Sequence, residues 1–158
     1  MASKVLVLYY SRTGNTEQMA ELVAEGARDA GGEVVLKDVT EAGAEELLDY
    51  DAIAIGSPVY YGSMAAEVKK LLDESVKFHG QLEGRVGAAF SSSANIGGGN
   101  ETTIVGILNA LLIHGMVVQG SSEGDHYGPV SIGAPDDRVR KQCRALGARI
   151  VTLADKLQ

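Results

Sequence analysis

The sequence predicts an α/β domain in which a parallel sheet is covered by helices on both faces. Three observations predict it. Strand-like and helix-like segments alternate strictly along 158 residues, the strand-like runs are continuously apolar, and nothing repeats. Parallel neighbours need helical crossovers, so five βα units imply a three-layer sandwich. The length suits a single domain, residues 1–158, with its own core.

Taken in order, "KVLVLYY" (4–10) is the first strand, apolar enough to be buried on both faces. Residues 16–30 then align Met19, Leu22, Val23, Ala27 and Ala30 on one helical stripe, which Gly31-Gly32 ends. "EVVLKDV" (33–39) is the second strand, "AEELLD" a short helix and "DAIAIGS" (51–57) the third strand. A helix over 63–77 stripes Met64, Val68, Leu71, Leu72 and Val76 and turns Lys69, Lys70 and Glu74 to water. "RVGAAFSS" (85–92) is the fourth strand, 101–114 the next helix, and "GMVVQG" (115–120) the fifth strand. A last helix, 136–157, stripes Val139, Cys143, Leu146, Ile150 and Leu157.

The helix "ETTIVGILNALLIH" departs from the surface pattern: no charge lies between Glu101 and His114, and apolar residues run almost all round. Either a second copy of the chain covers its outer side or loops of the same chain do. The expectation is the first, a homo-oligomer (dimer or tetramer).

Lys and Arg number 14 against 21 Asp and Glu, a net charge of -7. That opposes binding to nucleic acid or to an anionic membrane surface. The single cysteine, Cys143, excludes an internal disulfide and a thiolate metal cluster, and no metal site is expected. Cysteine usage fits a reducing compartment, hence a cytoplasmic protein. The apolar run at the start is too short for a secretory signal, and none spans a bilayer, so membrane insertion is not expected.

In open α/β sheets ligands bind beyond the carboxyl ends of the strands. The loop after the first strand, Ser11, Arg12, Thr13, Gly14, Asn15 and Thr16, sets hydroxyls and amides at a helix N-terminus, where an anion is favoured. It is neither a Walker loop nor G-x-G-x-x-G, and with no lysine it suits one terminal phosphate. The plainer alternative is a capped turn, though capping uses one such residue and four are present.

After the third strand, Pro58, Val59, Tyr60, Tyr61 and Gly62 offer either an aromatic wall for a flat ring or a packed loop anchor. After the fourth, Ser91, Ser92, Ser93, Ala94, Asn95, Ile96 and Gly97 open a glycine-rich stretch. It is either a set of backbone partners for a heterocycle edge or a flexible linker. The loop 121–134 is long, and its Asp125, His126 and Tyr127 form a lid or wall or are simply solvated.

"SRTGNT" resembles the phosphate loop, [ST]-x-T-G-x-T, of flavodoxin-like proteins. "SPVYYGSMAAEVKKLLD", "FSSSANIGGGNETTI", "HGMVV" and "YGPVSIGA" resemble the WrbA-type NAD(P)H:quinone oxidoreductases of that superfamily. The resemblance runs nearly the length of the chain. It implies strand order 2-1-3-4-5 with FMN at the switch point, an arrangement that flavodoxin itself exemplifies. It also implies that residues 11–16 wrap the FMN phosphate, that 58–61 flank its ring and ribityl chain, and that 91–97 line its polar edge. His114 matches a family histidine near the flavin. NAD(P)H is the implied donor, a quinone the implied acceptor and a tetramer a common assembly. The chain departs from the pattern where the family carries a tryptophan before the fourth strand, here the region of Phe78-His79, and in a shorter segment between "GMVV" and "YGP".

In the expected chemistry, hydride passes from nicotinamide to flavin and two electrons go on to the quinone, with His114 a candidate orienting group and His126 a weaker one. The alternative is a flavodoxin, a one-electron carrier between redox partner proteins. Its rim is usually acidic, whereas "SSSANIGGGN" holds no carboxylate. A phosphoacceptor receiver lacks its aspartates here, since Tyr9, Tyr10 and Ser11 end the first strand. A Cys143 phosphatase lacks an anion loop around its thiol.

Overall fold

The computed structural model of the chain describes residues 1–158. Its sheet is parallel throughout: β1 (Lys4–Tyr9), β2 (Glu33–Asp38), β3 (Ala52–Pro58), β4 (Val86–Ser93) and β5 (Val117–Val118) stand in the order β2-β1-β3-β4-β5. This is the expected flavodoxin-like order, with one addition. A sixth short strand, β6 (Val130–Ile132), also pairs parallel to β4.

The addition corrects the fifth strand. Val117 and Val118 pair with Val86 and Gly87 at the start of β4, and Val130–Ile132 pair with Ser91–Ser93 at its end. One strand position is thus filled by two pieces, and the chain between them leaves the sheet. One helix differs in type and another in its bounds. "AEELLD" is a 3-10 helix, and the helix expected over 63–77 is α2 (Ala66–Glu74) followed by a 3-10 turn over Ser75–Phe78. Ser57 Oγ accepts the N–H of Ala65 at 2.9 Å, and a tight turn at Tyr60–Ser63 occupies the preceding residues.

Alternation along the strands builds two cores. Val5, Val7, Ala52, Ala54, Ala88 and Phe90 face α1 (Asn15–Asp29) and α4 (Asp137–Leu157). Leu6, Leu8, Ile53, Ile55 and Ala89 face α2 and α3 (Asn100–Ile113). Both faces of the sheet are therefore dry, as a parallel sheet requires. Cys143 is fully buried in the first core, where burial pushes its thiol up to about 12.

On that first face α1 and α4 cross almost in contact. A Cβ on Gly147 would lie 2.0 Å from Val23 O, and one on Gly26 would lie 2.1 Å from Arg144 O. Both obstacles are backbone, so neither can move aside cheaply. Gly147→Ala is therefore expected to lower stability by about 1–2 kcal/mol, as overpacking outweighs alanine's helix preference. Urea denaturation measures this, and an unchanged midpoint would show that the helices separate without cost.

Candidate functional site

All strands end at one edge, and a cavity of about 360 Å³ opens there. It is lined by Ser11, Arg12, Thr13, Asn15, Thr16, Pro58, Val59, Tyr60, Ser92, Ser93, Ala94 and Gly133, and so by all four of the loops singled out in sequence. The volume lies within the roughly 300–1,000 Å³ typical of small-molecule sites.

The start of α1 forms its floor. The N-cap residue is Gly14, in the left-handed region at φ 98°, and no side chain caps the helix. Although Ser11, Thr13 and Asn15 sit there, Ser11 Oγ is spent on the Gly14 N–H at 3.1 Å. The first helical N–H groups therefore remain for a ligand, with the positive end of the helix dipole behind them. A Cβ on Gly14 would touch nothing, so glycine is required there by backbone angle rather than by space.

Hydrogen bonds between loops fix the walls. Thr16 Oγ1 and Ser92 Oγ lie 2.8 Å apart in a buried contact that ties α1 to the end of β4. Val59 N–H donates to Ser92 O at 2.9 Å, and Gly133 N–H to Ser93 O at 2.8 Å. Tyr60 packs edge-on to Tyr10, with ring centroids 6.4 Å apart. No carboxylate and no histidine lines the cavity, and Arg12 is its one charge.

The remaining expected residues fall into three groups. Gly14, Tyr61, Gly62, Asn95, Ile96 and Gly97 belong to the same loops without lining the cavity; Tyr61 and Ile96 stand exposed beside it. Ser91 is fully buried in the sheet and donates its hydroxyl to Ser57 O at 2.8 Å. His114 is elsewhere altogether. It follows the C-terminal end of α3, fourteen residues and roughly 20 Å from the end that meets the cavity.

There His114 lines a separate groove of about 530 Å³ with Ser75, His79 and Ile113. Ser75 Oγ gives its hydrogen to Leu72 O, so the 2.8 Å contact with His114 must run from Nε2–H to Ser75 Oγ. Nδ1 is then an acceptor, and it is buried without a partner. Burial, and secondarily the neighbouring His79, holds this imidazole below its usual range and hence neutral.

Gly133 is the lining residue that sequence reading missed, because β6 was not foreseen. What holds β6 is a clamp. Asp125 accepts from Arg138 at 2.7 Å and from Val130 N–H at 2.9 Å, while Arg138 also donates to Val130 O at 3.0 Å. Asp125 is thus part of a wall support, whereas His126 and Tyr127 are exposed.

The His114 arrangement has a pH signature. Its folded value lies below the unfolded 6.5, so the unfolded state takes up the proton first. Stability is complete above about pH 6.5 and is lost as pH falls below it. His114→Gln, which keeps a donor for Ser75, is expected to flatten that first part of the acid slope in chemical denaturation at stepped pH. An unaltered slope would place the titration elsewhere.

Known proteins agree with this arrangement. The flavodoxin domain family matches residues 6–98. A protein of Aquifex aeolicus named flavodoxin is 44% identical, over 93% of this chain and 84% of its own. One of Archaeoglobus fulgidus named NAD(P)H dehydrogenase (quinone) is 34% identical, over 98% of this chain and 99% of its own. The crystal structure of a WrbA-like flavodoxin from Agrobacterium tumefaciens covers 99% of this chain and 100% of its own with a TM-score of 0.84 at 28% identity. No helix is long and apolar enough to cross a membrane. With more than half the chain matched by the family and relatives aligned along nearly all of it, this protein belongs to the flavodoxin-like family, with WrbA-type proteins among its relatives.

Proposed function

We propose that the protein binds FMN and uses it to pass electrons from NAD(P)H to a quinone-like acceptor. The observation that carries the reading is the uncapped start of α1, set among hydroxyls in a cavity with no carboxylate. It fits a single phosphate monoester. The α1 N–H groups with Thr13, Asn15 and Thr16 would hold that phosphate, and Arg12 would add one compensating charge. Pro58, Val59 and Tyr60 would flank the ring. Ser92, Ser93, Ala94 and Gly133 would meet its polar edge. FMN, when bound, supplies a ring that accepts hydride from a nicotinamide and returns two electrons to a quinone, which also takes up two protons. The chain contributes binding and orientation; one of those protons arrives with the hydride, and because no carboxylate or histidine lines the cavity the other is left to water.

The printed names of relatives divide between flavodoxin and quinone dehydrogenase, which keeps a one-electron carrier as the second reading. Against it stands the loop after β4, whose residues 91–100 bring no carboxylate to the edge where a basic partner would be steered.

The same proposal includes self-association through α3. Val105, Leu112 and Ile113 are exposed on its outer side, Ile113 sharing a groove with Val76 of the 3-10 turn after α2, and no charge interrupts the helix after Glu101. Light scattering of the purified chain is expected to give a multiple of 16.5 kDa, and Ile113→Lys a monomer. A monomeric wild type would sink this part alone.

For the function itself, the FMN-loaded protein is titrated with NADH without air. The expected result is complete bleaching by one equivalent and return of colour on adding a benzoquinone. Retention of FMN with no response to NADH would overturn the oxidoreductase in favour of the carrier.

A further inference from the structure

Gly133 stands in the cavity wall at the end of a segment that is short and lightly seated. Of the three residues of β6, Ser131 alone is buried, and Ile132 is exposed. Glycines at positive φ flank the strand, Gly128 at 149° and Gly133 at 70°, so both of its ends are backbone hinges. On the side of α3, Asn100 Nδ2 reaches Ser131 O only at 3.5 Å, and Asn100 Oδ1 is buried with no partner. That contact is at the limit of a hydrogen bond and the bare oxygen costs free energy, so β6 gains little from this helix.

What closes the segment is mounted on α4. Asp136 caps that helix by accepting the Val139 N–H at 2.9 Å, which fixes Arg138 within the first turn. The Arg138 guanidinium acts as a fork: Nη1 donates to Asp125 Oδ1 at 2.7 Å and Nη2 to Val130 O at 3.0 Å. Asp125 Oδ2 takes the Val130 N–H at 2.9 Å. One residue of β6 is thus gripped at both backbone groups by two side chains that also grip each other. A turn further along α4, Gln142 accepts the Asp125 N–H at 3.3 Å. At the other end of the strand, Gly133 N–H donates to Ser93 O at 2.8 Å.

We propose that Asp125 and Arg138, neither of which lines the cavity, are positioning residues for its cofactor: their ion pair keeps Gly133 against the bound ring, and breaking it shortens the time the cofactor stays. The inference rests on the FMN reading above. The phosphate end of the cavity, at the start of α1, does not depend on the pair, so capture keeps its rate and release alone quickens. Arg138 is half exposed and Asp125 nearly buried, 52% against 13%, so dissolved salt reaches the pair from one side and weakens it.

Asp125→Asn, Arg138→Gln and the double variant test it. Asparagine still accepts the Val130 N–H, so the strand keeps its bond while the charge is lost. In the FMN-free chain, the Gly133 amide of Asp125→Asn is expected to exchange with solvent about tenfold faster than in the wild type, the loss of one charge-assisted hydrogen bond. In the FMN-bound chain, stopped-flow fluorescence of Asp125→Asn is expected to show release about tenfold faster, with capture within about twofold of wild type. The double variant is expected to release FMN no faster than the faster single one, because the two side chains act as a unit. In about 1 M salt the ratio of Asp125→Asn to wild-type release is expected to fall to about threefold. The response of the phosphate itself to salt is common to both chains and cancels in that ratio. Release within about twofold of wild type overturns the proposal, as does capture quickened as much as release, which would make β6 a gate rather than a wall. Additive effects in the double variant overturn the pairing. If the wild type takes up no FMN, the functional reading and the residence time fall together, and the exchange of the Gly133 amide still decides the clamp.

Discussion

Every strand of this sheet points the same way, and the rest of the molecule follows from that constraint. A parallel sheet must return each chain segment by a crossover, so helices cover both faces. The same constraint gathers all carboxyl ends at one edge, with the N-termini of α1 and α3 beside them. Two helix dipoles thereby converge where polar ligands are bound, before any particular side chain is chosen.

What the particular side chains add is rigidity between loops. The loops after β1, β3, β4 and β6 are remote in sequence, yet each is tied to β4 or its continuation by a short bond: Thr16 to Ser92, Val59 to Ser92, Gly133 to Ser93 and Thr102 to Gly62. Both helices that open onto this edge begin with a left-handed glycine and no side-chain cap. The first backbone donors of these helices are thus left free while the loops around them are tied to one another. A binding site gains from that combination, because little ordering remains to be done when a ligand arrives.

Much of this was legible in the chain itself. β1, β3 and β4 are apolar on both faces, and that run length identifies them without help from their neighbours. The stripe from Met19 to Ala27 and the hydroxyl-rich turn before it located α1 and its anion-binding end. The fifth strand is legible at Val117-Val118, but its second piece at Val130 is not, because an ion pair between Asp125 and Arg138 that no local pattern encodes holds that piece in line. Gly133 was missed for the same reason. The start of α2 was read early, since Met64 keeps helical spacing while the Tyr60–Ser63 hairpin holds the backbone out of a helix. His114 was read correctly as the end of a helix; periodicity carries no information on which edge of the sheet that end reaches.

The burial of Cys143 has a practical side. A thiol with its proton held so tightly, on the buried face of α4 where that helix meets α1 and the sheet, does not react with disulfide reagents or oxidants while the domain is closed. It becomes reactive once α1 and α4 part. As the sole sulfhydryl in the chain it is therefore a native clock: the rate at which a thiol-specific dye couples to the unmodified protein counts the openings of its core, with no label introduced and no denaturant added.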